Sequence, residues 1–60
     1  MKVGDYVKVF IESGYPDHGV IVDSYLDSFI GELVYEVHCQ ENKKLCIATI
    51  DMLEMISEAG

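Results

Sequence analysis

The sequence predicts an all-β fold, a small five-stranded antiparallel barrel, and three observations carry that expectation. Runs rich in valine, isoleucine and tyrosine recur at short intervals, over residues 6–11, 19–23 and 33–39. Side chains of this kind fit a pleated surface better than a helix. Turn-forming clusters separate the runs, at Gly4-Asp5, 13–17, 24–31 and 40–44. Finally, 60 residues fit one domain, 1–60, with a thin core, because a chain of this size buries only about 60% of the surface it exposes when unfolded.

The first strand is predicted over 6–11. Successive side chains of a strand face opposite ways, so Val7, Val9 and Ile11 share one face, and Tyr6, Lys8 and Phe10 the other. The valines face inward because Lys8 must reach water. The second strand, 19–23, is apolar on both faces, and Val20 and Val22 are assigned inward. The third, 33–39, places Tyr35, Val37 and Cys39 inward and Glu36 and His38 outward. The fourth, 45–48, is short and apolar, and Ile47 is assigned to the core.

A two-residue turn on Asn42-Lys43 pairs Glu41 with Lys44, Gln40 with Leu45 and Cys39 with Cys46, with Asn42 taking the positive φ such turns need. Thr49-Ile50-Asp51-Met52-Leu53 makes a short helical turn capped by Thr49, and the chain resumes as a last strand at 54–56. A helix is the rival over this stretch, since Ile50, Leu53 and Met52, Ile56 also fit helical spacing. It would be only about two turns long and marginal by itself. The expected core is Val7, Val9, Val20, Val22, Tyr35, Val37, Ile47 and Leu53.

Particular residues then suggest a family. Val3-Gly4-Asp5-Tyr6-Val7-Lys8-Val9, Gly19-Val20-Ile21-Val22, Tyr35-Glu36-Val37 and Ile50-Asp51-Met52-Leu53-Glu54-Met55-Ile56 together resemble the SH3-like small barrels. The bacterial and phage group that includes KOW and Tudor-type modules is the nearest in pattern. There, a Gly-Asp pair feeds the first strand, a glycine starts the second, and an acidic-hydrophobic helical turn precedes the fifth. The resemblance spans residues 3–56 and implies a fold, not an activity. It departs from the pattern in three ways. Acids stand at Asp17, Asp23, Asp27 and Glu32, where RNA-binding members carry basic loops. There is no tryptophan for a proline-rich ligand, and Tyr6, Phe10, Tyr15, Tyr25 and Phe29 show no spacing of a methyl-lysine cage.

Charge narrows the functions further. Eleven acids against four lysines and no arginine give a net charge of −7. That balance excludes a phosphate-neutralising patch for direct nucleic-acid binding, and anionic membranes would repel it. A partner found through electrostatics is a protein with a basic surface. The apolar runs end after a few residues, no signal peptide precedes Gly4, and two cysteines are too few for a secreted framework. The expected compartment is therefore the cytoplasm.

No catalytic constellation or cofactor site is expected. Asp17-His18 lacks a nucleophile or pocket, and a solvated loop histidine is the plainer reading. Cys39 and Cys46 allow a cross-strand disulfide, half a zinc site, or two free buried thiols. Cys-x6-Cys is no zinc knuckle and His38 faces the other way, so reduced, metal-free thiols are the expectation.

The segment 25–31 carries four large hydrophobes in seven residues, too apolar for a solvated turn. Either it tucks into the open end of the barrel or it meets a partner. Asp23, Asp27 and Glu32 bracket Tyr25, Leu26, Phe29 and Ile30, which makes these seven the candidate partner-binding residues. The function expected is a non-enzymatic, acidic protein-binding module, such as a phage-type regulator or inhibitor of a host protein. Two alternatives stand beside it. One is an acidic nucleic-acid mimic, with Asp17, Asp23, Asp27, Glu32 and Glu36 on one face, that blocks a basic site. The other is a KOW/Tudor-type accessory module of a nucleic-acid-handling complex.

Overall fold

The computed structural model describes residues 1–10, 16–41 and 43–58. Five strands, β1 (Tyr6–Val9), β2 (Asp17–Asp27), β3 (Glu32–Cys39), β4 (Leu45–Thr49) and β5 (Leu53–Ser57), form one antiparallel sheet in the order β4-β3-β2-β1-β5. A single 3-10 turn, Ile50–Met52, lies between β4 and β5. The fold is all-β as expected, and a strand rather than a helix ends it. The sheet curls without closing, so β4 and β5 are its two edges. No helix among the described residues is long and apolar enough to cross a membrane.

Each strand buries the face that its alternation allows. In β1, Val7 and Val9 are buried while Tyr6 and Lys8 are half-buried. The strand stops at Val9, and the Phe10 N–H turns away to donate to the Met52 carbonyl at 2.9 Å. Ile11, assigned inward above, lies outside the described residues. Ahead of β1, Gly4 takes φ 98, a conformation that favours glycine. Asp5 folds back there, and its carboxylate accepts the Lys2 N–H at 2.9 Å.

The inward assignment in the second strand is corrected. Ile21 is fully buried, whereas Val20 is half-buried and Val22 is 46% exposed. Two features set this parity. Gly19 pairs with Val7 and Cys39, and a Cβ there would lie 2.0 Å from the His38 carbonyl oxygen, so only glycine fits. Asp17, on the same side as Gly19, is buried, and its Oδ1 accepts the N–H groups of His18 at 2.7 Å and Glu41 at 3.1 Å. Val22 then sits in a β-bulge between Ile21↔Val37 and Asp23↔Glu36. An extra residue of this kind reverses the faces of everything after it. The strand also runs on through Asp27, past the break expected at Ser24.

β3 buries Tyr35, Val37 and Cys39 as its alternation predicts. The β3–β4 pairing, however, is Val37↔Cys46 and His38↔Leu45, two residues away from the expected register. The cause lies in β2. The Gln40 N–H donates to the His18 carbonyl at 2.8 Å and the Glu41 N–H to Asp17, so both leave the β4 ladder and lengthen the loop. Lys43 carries the positive φ of 56°; Asn42 is outside the described residues. A two-residue offset preserves faces. Cys46 and Ala48 therefore point inward, and Ile47, assigned to the core above, is 58% exposed.

The core is thus Val7, Val9, Ile21, Tyr35, Val37, Cys39, Ala48 and Leu53, with Cys46 and Met52 packed against it. Thr49 makes no side-chain cap. Its hydroxyl donates to the Asp51 carboxylate instead, and the Leu53 N–H donates to the Ile50 carbonyl to close the turn.

Candidate functional site

The β2–β3 hairpin is the longest pairing in the sheet and carries the candidate residues at its far end. Its tip, 28–31, is built by Asp27. The Asp27 Oδ1 accepts the Phe29 N–H at 2.8 Å and the Ile30 N–H at 3.4 Å, and its carbonyl accepts the Gly31 N–H at 2.8 Å. A carboxylate that bonds the backbone two and three residues on is the usual way an aspartate nucleates a turn. Gly31, at φ 72, returns the chain to β3. The turn leaves Phe29 97% exposed and Ile30 exposed as well. Of the two options for this segment, tucking into the sheet is not what it does.

The bulge at Val22 decides which side chains share a face. Asp23 is opposite Glu36, Tyr25 opposite Val34 and Asp27 opposite Glu32. These six residues alternate with Ser24↔Tyr35 and Leu26↔Leu33, so the two sets occupy opposite faces. One face therefore has a carboxylate pair at either end of a Tyr25–Val34 centre. Val34 is buried, with Tyr25 on one flank and Thr49 on the other in register. Like charges directly across a ladder destabilise a sheet, and here two such pairs stand on one hairpin. No lysine or arginine offsets them within the hairpin: between Lys8 and Lys43 the chain has seven acids and no basic residue besides histidine.

Tyr25 registers that field. Its hydroxyl pKa is raised above the ordinary 10.0, first by desolvation, then by its hydrogen bond to Glu36 and the charges of Glu36, Asp27 and Asp23. All three carboxylates that surround it disfavour a phenolate. The opposite face is apolar and open at its end, with Leu26 and Leu33 both exposed. It continues into a shallow cleft of about 380 Å³ between β3 and the 3-10 turn, lined by Glu32, Leu33, Tyr35, Thr49, Ile50 and Asp51.

The seven candidate residues thus divide between two faces and a tip. Asp23, Tyr25, Asp27 and Glu32 lie on the acidic face, Leu26 on the apolar face, and Phe29 and Ile30 at the turn. Glu36 joins the acidic face as the direct partner of Asp23, and Leu33 the apolar face as the partner of Leu26. The cross-strand pairing that adds them was hidden by the bulge. Asp17 does not join the acidic face, because its carboxylate is buried against backbone N–H groups. His18 is not a solvated loop residue either. It is half-buried in β2, its ring edge-on to Tyr6 with centroids 5.6 Å apart. At the other end of the molecule, Lys8 Nζ lies 5.4 Å from the Phe10 ring centroid. Among the described residues, no group of three or more His, Cys, Asp or Glu side chains is placed to hold a metal ion.

Compared with protein-family models, with curated proteins and with solved structures, the chain matches none.

Proposed function

We propose that this chain is a non-enzymatic binding module of the SH3-like small-barrel type, which docks a basic protein surface through its β2–β3 hairpin. The observation that carries the reading is the hairpin end itself. An aspartate-built turn holds Phe29 almost wholly in solvent beside two directly opposed carboxylate pairs. Both features are unfavourable for an isolated domain, and one kind of contact relieves both: a partner that covers Phe29 and supplies lysine or arginine to the acidic face. Exposed aromatics make strong interface anchors, and a charged rim sets encounter rate and register. The curled sheet with a 3-10 turn ahead of its last strand is compatible with the small-barrel assignment.

A second reading draws on the same face. Two carboxylate pairs about 13 Å apart along the hairpin offer a row of negative charge that a basic nucleic-acid site would accept, so the chain would act as a mimic and block that site. The two readings separate on Phe29, which the mimic does not need.

The test uses three baits in an extract of the source cells: the native chain, Phe29→Ala, and a triple variant with Asp23, Asp27 and Glu32 changed to lysine. The proposal expects a protein captured by the native chain and lost by both variants, each still folded by far-ultraviolet circular dichroism. Loss with the triple variant alone favours the mimic. Capture by all three baits rejects the hairpin as the docking site.

A further inference from the structure

The two cysteines are free, and their sulfurs are in direct contact. Cys39 and Cys46 Sγ atoms lie 2.8 Å apart across β3 and β4. A disulfide bond is about 2.05 Å long, so bond formation asks for less than an ångström of approach. The two residues are diagonal neighbours on the inward face, since Cys46 is opposite Val37 and the Cys39 N–H donates to the Lys44 carbonyl at 2.9 Å. Both side chains face each other on paired strands, and only residues 40–45 lie between them in sequence.

We propose that Cys39 and Cys46 form a reversible intramolecular disulfide, by exchange with a low-molecular-weight disulfide such as glutathione disulfide, and that this bond fastens edge strand β4 to the sheet. Exposure assigns the order of events. Cys46 is half-buried and Cys39 wholly buried, so the reagent meets Cys46. The Cys46 thiol loses its proton, and its sulfur attacks one sulfur of the reagent. The reagent's S–S bond breaks, and one small thiol departs with a proton. Cys39 then gives up its proton and attacks Cys46 Sγ in the mixed disulfide, which releases the second small thiol. Two protein thiols and one small disulfide thus become one protein disulfide and two small thiols, with two electrons passed to the reagent. Burial holds Cys39 protonated, its pKa pushed up to about 12. This keeps it from reacting first, and its attack in the second step depends on its contact with the Cys46 sulfur.

The consequence is mechanical. β4 is an edge strand, held in the sheet by β3 alone. A covalent link near the start of β4 restricts its fraying, and a disulfide that closes even a short loop stabilises mainly by restricting the unfolded chain. The oxidised form therefore melts above the reduced form by more than about 5 °C.

The test equilibrates the native chain with glutathione buffers of increasing disulfide fraction, quenches with acid, and weighs the intact protein. The expected product is a monomer lighter by two hydrogen atoms, with no titratable thiol, a higher Tm, and complete reversal by dithiothreitol. The Cys46→Ser variant should resist the same buffers, with Cys39 unmodified in the folded chain. A product that carries glutathione, a covalent dimer, or two thiols that persist in glutathione disulfide alone would each overturn the proposal. Equal Tm values for the two forms would overturn the fastening of β4.

Discussion

At the scale of single residues, the parity of β2 separates Ile21 from Val22, neighbours of nearly the same chemistry. Ile21 is wholly enclosed by the core, and its truncation to alanine should cost about 2–4 kcal/mol. Val22→Ala should stay within about 0.5 kcal/mol, because the alternation that buries Ile21 turns Val22 to solvent. Denaturant unfolding of both variants checks the pair, and equal losses would refute this parity. Gly19→Ala is the complementary case, since its new methyl group meets the His38 backbone and should cost roughly 1–3 kcal/mol or more. Cys39 makes stability depend on pH. Its folded pKa of about 12 lies above the ordinary 9.0, so the fold favours the protonated thiol. That contribution is fully present below pH 9 and is lost as pH rises from 9 through 12. The denaturant midpoint of the reduced protein should fall over that window, and Cys39→Ala should flatten the fall. Tyr25 acts in the same direction, more weakly because it is exposed.

At the scale of elements, alternation was enough to place β1 and β3, because each has a polar residue that fixes which side meets water: Lys8 in one, Glu36 and His38 in the other. β2 has no such marker between Gly19 and Val22, and its parity depends on a glycine under a neighbouring carbonyl and on a bulge. Neither leaves a trace in hydropathy. The same limit explains the β3–β4 register, which is set by hydrogen bonds from the loop to His18 and Asp17, far away in sequence. The candidate site was legible as a composition, an apolar segment between acids. Its division into an acidic and an apolar face was not, since that follows from the bulge. The tip has its own test. Asp27→Ala removes the acceptor for the Phe29 and Ile30 N–H groups and should destabilise the hairpin end by about 1 kcal/mol. Amide exchange at 28–31 should quicken while exchange in the core is unchanged. Protection of the tip that survives the substitution would show that Asp27 does not hold it.

For the whole molecule, the small size and the net charge of −7 are part of the ground for the proposed binding role. Among the described residues the core is one thin layer of eight, and the cleft beside β3 is shallow. What the molecule offers is a curled sheet that holds one long hairpin, with charge and exposed apolar surface concentrated at its end. Charge of this kind acts over about 8 Å at physiological ionic strength, so under the proposed function it would govern encounter. The Phe29 ring, exposed in the free chain and covered by the partner, would govern residence. The most direct test of that division measures association and dissociation rates of the captured partner with the native chain, Phe29→Ala and the triple lysine variant across a salt series. The expected result is a dissociation rate at least about tenfold higher for Phe29→Ala, with its association rate unchanged. Association of the triple variant should be slower and nearly independent of salt. A Phe29→Ala chain that dissociates at the native rate, or native association that salt leaves unaltered, would contradict that division.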